Sequence, residues 1–161
     1  MAVRRRSELV PIVEDAAGSL GYRDLREQQK DAILTFLEGN DVFVALPTGY
    51  GESLCYGCLP AAFDSLRSEA KSIVIVISPL VALMKDQVKV FRSKGLPAGY
   101  VGEGSSHEMK LGVLSGAFQL VSFSPEAILN QKRWRYLLRQ EPYVSHLMAL
   151  VVDEAHCVIK W

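Results

Sequence analysis

The residues best suited to chemistry in this sequence form a glycine loop between an apolar run and a helical pattern. The loop contains Gly49 and Gly51 and is followed by Ser53. Glycines let backbone N–H groups approach an anion closely, and the N-terminus of the following helix adds the positive end of its dipole. A strand, a glycine loop and a helix in this order predict a cradle for the phosphate groups of a nucleotide.

The residue before Ser53 does not fit this chemistry. A phosphate-binding loop ordinarily has a lysine there, because an ammonium group must meet the β- and γ-phosphates. This sequence has Glu52 in that position. At about 4 Å and an effective dielectric constant near 20, each pair of unit charges is worth about 4 kcal/mol. The exchange of a cation for a carboxylate should therefore outweigh the backbone cradle and make ATP binding very weak.

A second candidate site is the acidic pair at the end of the last apolar run. Asp153 and Glu154 directly follow Leu147–Val152. Adjacent carboxylates in this position can hold Mg²⁺ with one group and orient a water molecule with the next. Strands that end in acidic residues are common, but this one belongs to the same inferred sheet as a glycine loop. The combination predicts nucleotide chemistry or its vestige.

Apolar runs and helical patterns alternate along the chain, and these elements must position the candidate groups. This alternation predicts an α/β fold, a mostly parallel sheet with helices on both faces. The predicted strands are Val42–Leu46, Ser72–Ile77, Pro97–Val101, Phe118–Phe123 and Leu147–Val152. The predicted helices are Ser7–Ala17, Tyr22–Leu37 with Asp24 as N-cap, Ser53–Leu66 kinked or divided at Pro60, Leu80–Arg92, Ser106–Leu114 and Ser124–Arg139.

Composition indicates one globular domain. The chain has 161 residues, of which 49% are hydrophobic, 18 are basic and 18 are acidic. A net charge of zero gives no global basic footprint, so any contact with nucleic acid must be local. No apolar run approaches a membrane span, and the basic start of the chain lacks the apolar stretch of a secretory signal. The C-x-x-C pair, Cys55 and Cys58, indicates helical packing in a reducing compartment.

Several ordered motifs resemble those of superfamily 2 helicases, and in finer detail those of RecQ-like DNA helicases. The glycine loop resembles motif I, and Asp153–His156 resembles motif II. The segment from Leu25 to Ile33 resembles the adenine-reading motif, with Leu25 where an aromatic residue is usual. Ser78–Gln87 and Ser124–Glu126 follow that family almost letter by letter. The resemblance extends from residue 22 to residue 161 and implies a P-loop NTPase fold, the RecA-like helicase lobe.

The resemblance implies ATP and Mg²⁺ as cofactors and gives each motif residue a role. Ser53 and Asp153 would bind Mg²⁺, and Glu154 would activate the hydrolytic water. Glu52 stands in the position of the lost catalytic lysine. The residues expected to bind the nucleotide are Arg26, Gln29, Thr48, Gly49, Gly51 and Ser53. The residues expected to couple the nucleotide site to DNA are His156 and Trp161.

The resemblance also implies single-stranded or partly duplex DNA as the partner and a nuclear location. The family grips the phosphate backbone without reading sequence. The residues expected to contact the DNA backbone are Ser78, Pro79, Lys85, Gln87, Ser124 and Pro125.

The same resemblance divides the chain into an N-terminal helical extension, residues 1–21, and an incomplete helicase ATP-binding lobe, residues 22–161. The family's motor needs a second lobe, and a further strand that separates Val42–Leu46 from Leu147–Val152. Both strands are therefore expected to have unpaired edges in this truncated lobe. We expect a fragment or truncated relative of an ATP-dependent 3′-to-5′ DNA helicase, inactive as it stands. The alternative is a non-enzymatic decayed copy that keeps weak DNA or protein contacts.

Overall fold

A computed structural model describes residues 3–47 and 49–160 of the chain, except for the side chain of Lys160. Two of the expected site residues, Thr48 and Trp161, lie outside the described residues. The chain divides into two units, Met1–Ala70 and Lys71–Trp161. No helix in the described ranges is both long and apolar enough to cross a membrane.

The first unit is helical. Helix α1 packs against α2 and α4, and α2 packs against α3. The rings of Phe36 and Phe63 meet edge to face, with their centroids 6.1 Å apart. The helices among its described residues are α1 Arg6–Ser19, α2 Glu27–Leu37, α3 Glu52–Gly57 and α4 Leu59–Arg67. Of the two predicted alternatives at Pro60, a kink or a division, the division is confirmed, because α3 ends at Gly57 and the proline lies in the first turn of α4.

Helix α2 begins later than the sequence pattern predicts. The prediction of Asp24 as N-cap is wrong, because the N-cap residue is Arg26 with an extended backbone. The side chain of Gln29 reaches back and accepts a hydrogen bond from the backbone nitrogen of Arg26 at 2.9 Å. A capping box of this kind satisfies a backbone donor at the helix start from inside the helix. The residues before Arg26 therefore need not supply a cap.

The predicted strand at Val42–Leu46 is wrong. Residues 41–47 have no strand assignment, and Phe43 is 82% exposed. A run of apolar and β-branched residues favours a strand only where a neighbouring strand completes the hydrogen-bond ladder. Among the described residues, no strand pairs with this segment. The missing neighbour is therefore a sufficient reason for the difference.

The second unit is built on a four-stranded parallel sheet, which confirms the predicted fold class. The strands are β1 Ile73–Ile77, β2 Ala98–Val101, β3 Leu120–Phe123 and β4 Leu147–Val152, in the order β2-β3-β1-β4. All three pairings are parallel. Every residue of the central strand β1 is buried, as its unbroken apolar run predicts.

Two helices of the second unit follow the predicted positions, the third predicted helix is divided, and a short helix at Tyr143–His146 was not predicted. The helices are α5 Val81–Ser93, α6 His107–Ser115, α7 Pro125–Asn130, α8 Lys132–Leu137 and α9 Tyr143–His146, before a 3₁₀ helix at Ala155–Lys160. The single helix predicted at Ser124–Arg139 is wrong, because Gln131 takes an extended conformation between α7 and α8. This break lets Trp134 pack fully buried against Phe123, with ring centroids 5.7 Å apart.

Candidate functional site

The glycine loop of the first unit has the backbone that a phosphate cradle requires. Gly49 and Gly51 have φ angles of 83° and 75°, in the left-handed region that favours glycine. Gly51 is the N-cap residue of α3, and Glu52 is its first helical residue. Gly49 has open space where a β-carbon would lie, whereas a β-carbon on Gly51 would meet the Gln29 Nε2 atom at 2.7 Å. The loop is therefore open at Gly49 and closed by a side chain at Gly51.

The side chain of Gln29 closes the glycine loop at Gly51. This side chain is only 4% exposed. Its Nε2 atom donates to the carbonyl oxygens of Tyr50 at 2.9 Å and Gly51 at 3.0 Å. Its Oε1 atom accepts from the backbone nitrogen of Arg26. A contact between Gln29 and an adenine edge stays a prediction, and it requires that the amide exchange one of these hydrogen bonds.

Tyr50 is a site residue that the sequence analysis did not single out. The guanidinium carbon of Arg26 lies 4.2 Å from the centroid of the Tyr50 ring. This is the geometry of a cation–π contact. The available signal was the aromatic residue between the two glycines, where the loop needs no large side chain. Arg26, Gln29, Tyr50 and Gly51 are thus brought together at the start of α2.

Glu52 places a negative charge at the start of α3. Its side chain is exposed and lies in the first turn of the helix, where the helix dipole stabilises a carboxylate. Burial, and after it the charge of Glu52, raises the pKa of the Cys55 thiol to about 11. Ser53 is half-buried beside Glu52. The helix dipole at this position would attract a phosphate, whereas the Glu52 carboxylate would repel it.

The two cysteines after the loop are free thiols in helical surroundings. Burial, and after it the charge of Cys55, raises the pKa of the Cys58 thiol to about 12. The thiolate is the form that binds zinc or attacks a disulfide. The raised pKa values of Cys55 and Cys58 therefore favour the predicted packing role over a redox or zinc site.

In the second unit, three expected site residues lie at one edge of the sheet. The backbone nitrogen of Ser78 donates to Phe123, next to Ser124, at 3.0 Å. The backbone nitrogen of Asp153 donates to Ile77, next to Ser78, at 2.8 Å. Ser78, Ser124 and Asp153 thus follow the carboxyl ends of neighbouring parallel strands, where ligands bind in open α/β sheets.

The two serines at this edge differ in their hydrogen bonds. The Ser124 hydroxyl oxygen accepts from the backbone nitrogen of Ala127 at 3.2 Å and caps α7, as predicted, with Pro125 as the first helical residue. The Ser78 hydroxyl is fully buried and has no hydrogen-bond partner among the described residues. A buried hydroxyl without a partner is unusual and is a group that a ligand could satisfy.

The acidic pair adjoins this edge. The backbone nitrogen of Glu154, a residue with φ of 53°, donates to Asp153 Oδ1 at 3.0 Å. Burial raises the pKa of the Asp153 carboxyl, the charge of Glu154 adds to the rise, and the backbone hydrogen bond opposes it. His156 Nδ1 lies 3.4 Å from Glu154 Oε2. A cation beside Asp153 would relieve this accumulation of negative charge, so the pair fits the expected Mg²⁺ role.

Lys85 lies on α5 near the turn that follows β2. Its Nζ atom is 3.6 Å from the position that a β-carbon would take on Gly104. Met84 and Ser124 both approach Gly102 in the same turn. The start of α5, which follows Pro79, and this turn therefore converge beside the carboxyl edge of the sheet. Gln87 is half-buried on α5.

The sequence profile of the DEAD/DEAH box helicases matches residues 26–161. The chain belongs to this family. RecQ, an ATP-dependent DNA helicase of Synechocystis, is 38% identical over 145 residues, which are 88% of this chain and 28% of that protein. SGS1, an ATP-dependent helicase of Saccharomyces cerevisiae, is 37% identical over 140 residues, which are 84% of this chain and 10% of that protein.

A third relative extends the pattern to another bacterium. RecQ of Haemophilus influenzae is 32% identical over 145 residues, which are 88% of this chain and 22% of that protein. The chain thus spans less than a third of the length of each of these helicases.

Membership of the helicase family implies ATP, and the described residues fit it in part. The left-handed glycines and the open space at Gly49 suit a backbone cradle for phosphate. The buried Ser78 hydroxyl and the Asp153 carboxyl suit a ligand at the sheet edge. The exposed carboxylate of Glu52 at the start of α3 does not suit a triphosphate.

Proposed function

We propose that this chain is part of a RecQ-like, ATP-dependent DNA helicase whose nucleotide site is impaired by Glu52. The observation that supports the impairment is the position of Glu52 as the first residue of α3, next to the left-handed Gly51. Backbone N–H groups at that point would face the phosphates, and the carboxylate would face them too. The proposed assignment of polarity, 3′ to 5′, and of a nuclear location rests on the resemblance alone.

Within this proposal, Asp153 would hold Mg²⁺ and Glu154 would activate the hydrolytic water. The support is their place after β4, with the backbone nitrogen of Glu154 bonded to Asp153 Oδ1. ATP would supply the phosphoryl group whose hydrolysis drives the family's unwinding. The residues of this chain would contribute the binding of the metal by Asp153, whose carboxylate is held by that hydrogen bond, and the contact of Glu154 with His156.

The proposed DNA contacts lie at the carboxyl edge of the sheet. The exposed Lys85 places a cation there, beside Ser78 and Ser124, whose side chains are buried. Such a cation binds phosphate oxygens without reading the base sequence. DNA affinity at this edge should therefore depend on salt and hardly on sequence.

Isothermal titration calorimetry with Mg-ATP tests the role of Glu52. We expect the unaltered chain to bind ATP with a dissociation constant of about 1 mM or weaker, and ADP about as weakly, because the carboxylate opposes the phosphate charge. Glu52→Lys should bind at least about tenfold more tightly. Glu108→Lys makes the same charge change in the first turn of α6 and should have no effect. A low-micromolar dissociation constant for the unaltered chain would contradict the proposal.

The second candidate function is a non-enzymatic module that contacts DNA or protein. The observation that favours it is the closed glycine loop, in which the Gln29 amide already bonds Tyr50, Gly51 and Arg26. A module of this kind would bind single-stranded DNA with an affinity that Mg-ATP does not change, in the Glu52→Lys variant as well. A nucleotide-dependent DNA affinity in Glu52→Lys would instead favour the helicase assignment.

A further inference from the structure

One face of α8 and the turn after it forms a stripe of exposed basic side chains around a tyrosine. Lys132, Arg135, Tyr136 and Arg139 are spaced three, one and three residues apart, which places them on one face of a helix. All four are exposed, and Tyr136 is 64% exposed. We call these four residues the α8 stripe. The opposite face of the helix is anchored in the core by the fully buried Trp134.

The positive charge of the α8 stripe is not neutralised locally. Among the described residues, no carboxylate forms a salt bridge with Lys132, Arg135 or Arg139. Residues 131–140 contain no Asp or Glu, and Arg133 adds a further cation beside the stripe. The whole chain has a net charge of zero, so this concentration of charge is a local feature.

The stripe is also held in place. Arg135 donates to the carbonyl oxygens of Ile128 and Leu129 at the end of α7. Arg133 lies with its guanidinium carbon 4.5 Å from the Trp134 ring centroid. The backbone nitrogen of Arg139 donates to Tyr136 at 3.0 Å, so the helical turn continues to the last cation. A partner would therefore meet cations whose backbone is already ordered.

We propose that the α8 stripe binds a nucleic-acid strand, with its cations on the phosphate backbone and Tyr136 stacked on a base. Cations in a row match the regular charge of the backbone, and an exposed aromatic ring accepts any base on its face. An acidic protein segment would use the cations and leave the ring without a role. This surface is separate in sequence from the sheet-edge residues Ser78, Lys85 and Ser124, and its charge and exposure do not depend on ATP binding.

Fluorescence anisotropy with a labelled, mixed-sequence, single-stranded oligonucleotide tests the proposal when the affinity is measured over a range of salt concentrations. The variant carries Lys132→Ala and Arg139→Ala, and it leaves the anchored Arg135 intact. Each lost phosphate contact should reduce the slope of log affinity against log salt by about 0.7, or about 1.4 for both. Between about 50 and 200 mM salt, the loss of affinity should then become about sevenfold smaller than in the unaltered chain.

Four further variants separate the stripe from a general charge effect. Arg23→Ala with Lys89→Ala removes two exposed cations elsewhere and should leave the slope unchanged. Lys132→Arg with Arg139→Lys keeps both charges and should bind as the unaltered chain does. Tyr136→Ala should lower the affinity without altering the slope, and Tyr136→Phe should restore it, because only the ring is needed for stacking.

Several outcomes would overturn this inference. One is an unchanged slope of log affinity against log salt in the Lys132→Ala, Arg139→Ala variant. Another is the absence of oligonucleotide binding by the unaltered chain. Binding to a polyglutamate peptide that the same variant loses, while its DNA affinity stays unchanged, would assign the surface to an acidic protein instead. The Lys85→Ala variant tests the proposed sheet-edge contacts separately. Failure of the proposal for the α8 stripe is therefore distinguishable from failure of the proposal for the sheet edge.

Discussion

Gly51 and Gln29 approach each other so closely that the β-carbon of any other residue at position 51 would lie 2.7 Å from the Gln29 Nε2 atom. The same Nε2 atom donates to the carbonyl oxygen of Gly51 at 3.0 Å. The glycine loop is therefore bonded to the start of α2, and the contact of Arg26 with the Tyr50 ring adds a second attachment. A change at Gly51 should disturb both the loop and the capping box of α2.

Gly51→Ala is expected to destabilise the chain more than Gly49→Ala. Both glycines have positive φ, so each alanine imposes backbone strain, which should cost about 1 kcal/mol or more of the free energy of unfolding. Only the alanine at position 51 also displaces the Gln29 amide, for a total of about 2–3 kcal/mol. Urea denaturation of the two variants measures the difference. Equal losses in both would show that Gln29 moves away at no cost.

These contacts indicate what the sequence could predict and what it could not. The parallel sheet was predictable because one arrangement, a sheet covered on both faces, buries the apolar residues of β1 and β3 and also pairs their backbone hydrogen-bonding groups. Val42–Leu46 is an apolar run as well, but an apolar run does not reveal whether a neighbouring strand is present. The contact of Arg26 with Tyr50 joins residues far apart in the chain, and no local pattern encodes it. The N-cap of α2 depended on the Gln29 side chain, which no propensity for Asp24 could reveal.

The site residues at the sheet edge were predictable for a different reason. Polar residues that directly follow strands of a parallel sheet must share one edge, so Ser78, Ser124 and Asp153 had to lie near one another. Their hydrogen bonds were not predictable, because a serine after a strand can cap a helix, as Ser124 does, or remain buried without a partner, as Ser78 does.

Asp153→Asn is expected to stabilise the chain at neutral pH. Burial, followed by the charge of Glu154, raises the pKa of the Asp153 carboxyl in the folded state above its value in the unfolded chain. The folded state therefore binds the proton more tightly, so this group's contribution to stability is complete at acid pH and is lost as pH rises through the folded pKa. Asparagine stays neutral at every pH, and its side-chain oxygen can still accept from the Glu154 backbone nitrogen.

Thermal unfolding of both proteins across a range of pH measures this effect. The melting temperature of Asp153→Asn should exceed that of the unaltered chain at pH near 7, and the two curves should converge at acid pH, where the aspartate is also neutral. Addition of Mg²⁺ at neutral pH should raise the melting temperature of the unaltered chain toward that of Asp153→Asn, because a cation stabilises the ionised carboxylate and not the asparagine. A lower melting temperature for Asp153→Asn at neutral pH would show that the ionised carboxylate stabilises the fold.

The exposed strand β4 is expected to govern self-association of the chain. It lies at one end of the strand order and pairs only with β1 among the described strands, and Leu150 on it is 62% exposed. An apolar edge strand without a lysine or proline is a template for pairing with another chain. Leu150→Lys should therefore reduce association, measured by light scattering against protein concentration, while it changes the free energy of unfolding by less than about 0.5 kcal/mol. The matched control is Ala149→Lys, because Ala149 is the neighbouring residue and is 5% exposed. A lysine there would bury an unpaired cation and should cost about 3 kcal/mol or more. If Leu150→Lys associates as strongly as the unaltered chain, β4 is not the surface that drives association.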